Sequence, residues 1–212
     1  MKNIGVILAG GSGIRFGASI PKQYQKIGGK EVISFVIDAF KKSRLTDAIL
    51  IVAGEQFVEH LQEEYGITTI KGGSVRNETV YNAICFIKEH YGSEVKVIFA
   101  DSARPMLTAE YVDNVFKLLD EHNAVITVAK ITDSLFELGN ALVERENYRL
   151  IQTPEAFRLS ALEGFDKDNP ATAILEQCNS GDMFFCDELK NNFKITYPQD
   201  LVVAEALLRE AK

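Results

Sequence analysis

The chain has no tryptophan, three cysteines, three histidines and five prolines in 212 residues. Cys85, Cys178 and Cys186 are odd in number and irregularly spaced, and no disulfide or zinc pattern emerges from them. Cys85 falls in an apolar helical pattern and reads as a core residue. His60, His90 and His122 stand beside Glu59, Glu89 and Glu121 and read as surface residues rather than ligands. No apolar run approaches the ~20 residues of a membrane helix. The first one, Ile4 to Leu8, is too short for a signal-peptide core and runs straight into glycines. The expectation is a cytoplasmic protein with no membrane partner. Positive charge is also scarce, and the net charge of −7 argues against a nucleic-acid binder. It leaves room for a small nucleotide ligand, because a few focused cations suffice locally.

Apolar residues make up 46% of the chain and charged residues 25%, enough for one sizeable core. Strand patterns at Ile4–Leu8, Ala48–Val52, Thr68–Lys71, Lys96–Ala100 and Ala124–Ala129 alternate with helical patterns at Val32–Lys42, Glu55–Tyr65, Arg76–His90 and Ala109–Glu121. Near-continuous Val/Ile strands between amphipathic helices predict an α/β fold, a doubly wound, mostly parallel sheet covered on both faces. The alternation breaks after Lys130. Residues 131–144 read as a hairpin turning at Gly139-Asn140, and with 145–153 they form an arm that cannot build its own core. Short helices are expected around Leu159–Phe165 and Thr172–Gln177, then a strand at Phe193–Thr196 and a helix from Gln199. A single domain, 1–212, with an arm at about 131–153, accounts for the pattern.

Four constellations carry chemistry. The first strand runs into Ala9-Gly10-Gly11-Ser12-Gly13, followed by Arg15 and Pro21-Lys22. Backbone N–H groups beside two cations make a polyphosphate cradle. Its spacing matches neither a Walker loop nor a GxGxxG dinucleotide turn. The second, Gly72-Gly73-Ser74-Val75-Arg76-Asn77-Glu78-Thr79, lets a flat base approach the backbone, or is simply a helix start capped by Ser74. The third, Asp101-Ser102-Ala103-Arg104-Pro105, follows a strand. It suits a ribose or metal contact, and equally an Asp–Arg pair or a capped turn. The fourth is Lys194, in a short β-type run where a solvent-facing side chain is the ordinary outcome. Arg145 and Thr153, flanking the arm, are unremarkable by themselves.

Taken in order, LAGGSGIRFG, PKQY, GGSVRNETV, DSARP, ITDS, RLIQTPEAF and NFKITYPQDL resemble the cytidylyltransferases that make CDP-polyols, over nearly the whole chain. That family has two best-known branches, acting on 2-C-methyl-D-erythritol 4-phosphate and on ribitol 5-phosphate. The resemblance implies a Rossmann-like sheet, a homodimer that exchanges its arms, CTP and a small polyol phosphate as substrates, and Mg²⁺ as cofactor with unspecified protein ligands. It implies that Arg15 and Lys22 hold the CTP phosphates and the leaving pyrophosphate, and that Lys194 meets the α-phosphate. Ala9, Gly10, Gly73, Ser74 and Thr79 match the cytosine pocket, and Gly11, Asp101 and Ser102 the ribose contacts, with Asp101 also near the acceptor. Arg104, with Ser134, Arg145 and Thr153 of a partner's arm, matches the acceptor-phosphate site. The chain departs from the erythritol-phosphate pattern at Asn169-Pro170-Ala171, where a Thr-Asp-Asp/Glu motif is usual. It departs also at Ser134, usually threonine, and at Asn191, usually acidic. GGSVRNETV and ARPMLT lean toward the ribitol branch and Tyr148-Arg149-Leu150 toward the erythritol branch. The erythritol phosphate is the leading acceptor, ribitol 5-phosphate or another wall or capsule polyol phosphate the alternative, and a non-catalytic nucleotide-binding paralogue a third.

Overall fold

A computed structural model describes residues 1–11, 16–18, 20–139 and 142–210. The main strands are β1 (Lys2–Ala9), β4 (Ala48–Ala53), β5 (Thr68–Lys71), β6 (Val95–Asp101), β7 (Ala124–Lys130), β10 (Arg149–Arg158) and β11 (Met183–Cys186). They form one seven-stranded sheet in the order β5-β4-β1-β6-β10-β7-β11. Every neighbouring pair is parallel except those made by β10, which runs antiparallel to both β6 and β7. The helices are α1 (Val32–Lys42), α2 (Val58–Tyr65), α3 (Arg76–Tyr91), α4 (Ala109–Glu121) and α5 (Gln199–Glu210). Two short hairpins complete the strands: β2 (Lys26–Ile27) with β3 (Lys30–Glu31), and β8 (Leu135–Phe136) with β9 (Leu142–Val143).

The two-residue period of the strands sorts their side chains into two apolar layers. Ile7 and Ala9 of β1, with Ile51, Ala53, Ile98 and Ala100, pack against α1, α2 and α4. Ile4, Val6 and Leu8, with Leu50, Val52, Val97 and Phe99, pack against α3 and the turns at 159–162 and 174–177. Gly5 has a packing reason. A Cβ there would lie 2.5 Å from the Phe40 ring, which α1 lays directly on the strand. After β1 the chain builds outward through β4 and β5, then returns to β6 on the other side of β1. Strand order reverses between β1 and β6, and a crevice opens at their carboxyl ends.

Several expectations change. Phe193–Thr196 is not a strand. It is an irregular segment anchored by Ile195, whose N–H donates to the Ala103 carbonyl. The late strand is β11 instead, added to the sheet edge beside β7. Leu159–Leu162 and Ile174–Gln177 are single 3-10 turns, too short for α-helices. Cys85 is exposed, because it sits on the side of α3 away from Ala83, Ile84 and Ile87, which face the sheet. The arm hairpin exists, but its strands are two residues each. Asn140 of its turn lies outside the described residues. Thr153, expected on the arm, belongs to β10 and is buried inside the sheet, because the arm returns to pair with β7 from Arg149 onward.

Candidate active site

Three strand ends and one irregular segment converge on a cavity of about 570 Å³ at the switch point. From β1 come Gly10 and Gly11, and just beyond them Lys22 lines the same wall. The loop is held from beneath by Gln23, whose Nε2 donates to the Ala9 and Gly11 carbonyls at 2.9 Å each. Arg15 lies outside the described residues, as do Ser12 to Ile14. From β5 come Gly73 and Ser74. Thr79 joins this loop to the first: its Oγ1 accepts from Gly73 N at 3.1 Å, and a Cβ on either Gly10 or Gly72 would stand 3.2 Å from that oxygen. Gly73 tolerates no side chain, since its Cβ would meet Glu78 Cγ at 2.2 Å. The expected Ser74 cap is not formed. Val75 occupies the N-cap of α3, and Ser74 donates through both N and Oγ to Glu78 Oε2.

From β6 comes Asp101, with Ser102 beside it in the cavity wall. Asp101 Oδ2 accepts from Lys194 Nζ at 2.7 Å, and Arg104 Nε lies 3.7 Å away. Burial by itself would raise the Asp101 carboxyl, yet Lys194, Arg76 and Arg104 outweigh it and hold it at about 2. Lys194 thus points inward, because an ionised carboxylate waits for it. Its segment is fixed by Asn192, which donates through Nδ2 to the Thr153 carbonyl (2.8 Å) and to Gln152 Oε1 (2.9 Å). Asn191, in the left-handed region at φ +55°, turns the chain into that position. Thr153 stands behind Asp101, its Oγ1 accepting from the Asp101 N–H at 3.1 Å. Arg104 is also turned away from the cavity, donating to the Asn192 carbonyl at 2.6 Å. Burial pulls its guanidinium below its usual range, opposed by Asp101. Ser134 and Arg145 are exposed on the arm, outside the cavity lining, and Arg145 donates to the Thr132 carbonyl and to Glu146.

The structure therefore brings Gly10, Gly11, Lys22, Gly73, Ser74, Thr79, Asp101, Ser102 and Lys194 around one cavity. Ala9 is buried behind it, Arg104 and Thr153 support Asp101, and Ser134 and Arg145 stand apart. Sequence reasoning missed Gln23 and Asn192, the two amides that fix the cavity's loops. Each lies inside a motif already quoted, Gln23 in PKQY and Asn192 at the start of NFKITYPQDL, and that position was the available signal. It missed Glu155 as well, a carboxylate within the otherwise apolar Pro154-Glu155-Ala156-Phe157. Among the described residues no group of three His, Cys, Asp or Glu can hold a metal. Asp101 is the one carboxylate in the described lining. Such a site suits a magnesium ion that arrives on a triphosphate and keeps mostly phosphate and water ligands. No cysteine or histidine lines the cavity among the described residues, and its lining sets the cations Lys22, Arg76 and Lys194 beside glycine backbone.

Comparison with known proteins agrees with this chemistry. The chain is 30% identical to the 2-C-methyl-D-erythritol 4-phosphate cytidylyltransferase of Bacteroides thetaiotaomicron, over 98% of this chain and all of that protein. It is 29% identical to a bifunctional ribulose 5-phosphate reductase/CDP-ribitol pyrophosphorylase of Haemophilus influenzae, over 98% of this chain and 48% of the relative. The crystal structure of 2-C-methyl-D-erythritol 4-phosphate cytidylyltransferase from Thermus thermophilus superposes with a TM-score of 0.76 at 25% identity, over 99% of this chain and all of that one. The model of the IspD family, 2-C-methyl-D-erythritol 4-phosphate cytidylyltransferase, matches residues 4–210. With that match over nearly its whole length, the chain belongs to the IspD family and is a CTP-dependent cytidylyltransferase.

Proposed function

We propose that the chain transfers CMP from CTP to 2-C-methyl-D-erythritol 4-phosphate, giving the CDP-polyol and pyrophosphate. The observation that carries this reading is the pairing of Lys194 with Asp101 on one wall of a cavity whose other wall holds Lys22 and the Gly10-Gly11 turn. A phosphate oxygen of the acceptor attacks the α-phosphorus, the bond to the bridging oxygen breaks, and pyrophosphate leaves with that electron pair. No protein atom is bonded in the process, so the chain works by positioning and charge. Lys194, aimed by Asp101, meets the charge that builds on the α-phosphate. Lys22, with Arg15, meets the pyrophosphate. Gly73, Ser74 and Thr79 would take the cytosine, whose amino group and carbonyl would face backbone partners. Magnesium, when bound, neutralises further phosphate charge, and the triphosphate oxygens with Asp101 would hold it. The arm completes the site in a homodimer: it exposes Phe136, Leu138, Tyr148, Leu150 and Ile151 together, apolar surface that a second copy would cover. Arg145 and Ser134 would then reach the acceptor phosphate of the neighbouring protomer.

Ribitol 5-phosphate is the second reading, favoured by the match of 98% of this chain to about half of the Haemophilus influenzae relative. The test is pyrophosphate release with CTP, Mg²⁺ and each polyol phosphate in parallel. Fastest release with the erythritol phosphate is expected. Release confined to ribitol 5-phosphate installs the second reading, and silence with every acceptor despite CTP binding overturns both.

A further inference from the structure

Arg76 lines the cavity wall and is bound to a carboxylate deeper in the protein. Its Nη2 lies 3.0 Å from Glu155 Oε1, and Glu155 is 1% exposed, in the middle of β10. The other Glu155 oxygen, Oε2, accepts from the Leu175 N–H at 2.9 Å. Arg76 Nη1 donates to the Thr172 carbonyl at 3.3 Å, and its neighbour Asn77 donates through Nδ2 to the carbonyls of Asn169 (2.7 Å) and Ala171 (3.0 Å). One buried carboxylate thus ties the start of α3 to the 169–177 segment, with Arg76 between them. Burial pushes the Glu155 carboxyl up while Arg76 and the Leu175 N–H pull it back, as expected of a group that depends on those two partners. Arg76 also helps to keep Asp101 ionised, and both residues line the same cavity. Two of its five guanidinium N–H groups are given to Glu155 and Thr172.

We infer that Glu155 is a positioning residue for this reaction: it holds Arg76 at the cavity wall and the 169–177 segment behind it, so that Arg76 helps seat the incoming phosphomonoester. The inference rests on the polyol-phosphate reading above. Arg76 and the Leu175 N–H bind different Glu155 oxygens, and glutamine turns one of these into an NH2 donor that cannot accept, so one of the two loses its acceptor. Aspartate keeps the charge but is one methylene too short to bridge them. Steady-state kinetics of Arg76→Gln, Glu155→Gln, Glu155→Asp and the Arg76→Gln/Glu155→Gln double variant, with the best acceptor of the wild-type enzyme, separate the possibilities. Each single variant should raise the acceptor KM about tenfold, the scale of one charge-assisted hydrogen bond, and leave the CTP KM nearly unchanged. The double variant should match Arg76→Gln alone, because Glu155 acts through Arg76. A lower acceptor KM in Glu155→Gln, with Glu155→Asp like wild type, shows that only charge counts and overturns the inference. So does additivity in the double variant, or an equal rise in both KM values. Should no polyol phosphate support turnover in the wild type, the functional reading fails first, and amide exchange still tests the positioning. Faster exchange across 169–177 in Glu155→Gln is then expected, and unchanged exchange refutes it.

Discussion

Asp101 gathers Lys194, Arg76 and Arg104 about one buried carboxylate, and that grouping makes stability depend on pH. Its folded-state carboxyl, at about 2, lies below the ordinary 3.8. A lowered acid stabilises the folded state fully above the ordinary value, and the contribution is lost as pH falls toward the folded one. The shift corresponds to about 2–3 kcal/mol, lost between about pH 5 and about pH 2. Urea unfolding across that range should show a shallower pH dependence in Lys194→Ala, which removes the nearest cation. Identical slopes in the two proteins would show that Lys194 does not hold Asp101. At the same scale, Lys22→Ala and Lys194→Ala should each cut kcat by about 100- to 1000-fold, as loss of one preorganised transition-state contact does. Circular dichroism should show both variants folded. Near-normal turnover in either would remove that lysine from the mechanism.

At the scale of elements, the close fit of α1 on β1 sets where the first glycine loop emerges. Gly5→Ala drives a methyl into the Phe40 ring and should cost about 1–3 kcal/mol by denaturant unfolding, the usual range for overpacking. A neutral result would mean that α1 shifts freely, and the loop geometry after Ala9 would then be less constrained than the packing indicates. Elements with clear patterns were legible: Val32–Lys42, Ala109–Glu121 and the edge strand Thr68–Lys71 match the structure residue for residue. Phe193–Thr196 misled because its alternating apolar residues mimic a strand. Phe193 and Ile195 in fact pack against Ala103 and α5 without any strand partner. β11 escaped notice because Met183–Cys186 is short, and only the edge of β7 gives its backbone hydrogen bonds somewhere to go.

For the whole molecule, the arm decides whether one chain is enough. The cavity holds the groups expected for the nucleotide, while Ser134 and Arg145 stand outside its lining. In the proposed dimer each site joins one protomer's cavity to the other's arm. Mixing Lys22→Ala with Arg145→Ala subunits should therefore restore activity to on the order of a quarter of the sites, since half the dimers form as hybrids with one intact site. No recovery after subunit exchange, verified by mass, would place each site within a single chain. Deleting residues 133–144 should yield monomers by sedimentation, and dimers that persist would move the interface elsewhere.

The sequence by itself determined the layered α/β class and the glycine turns. Periodicity and backbone freedom are local properties, written in neighbouring residues. It also carried the motifs by which the chain resembles its family, LAGGSGIRFG, GGSVRNETV, DSARP and NFKITYPQDL among them. What it left open for Lys194, solvent or site, was decided by Asp101, 93 positions away in the chain. The roles of Gln23, Asn192 and Glu155 were likewise settled by folding, since a buried polar group must find its partner wherever the packed chain supplies one. Only the tertiary structure makes those long-range pairs, and they hold the cavity's loops in place.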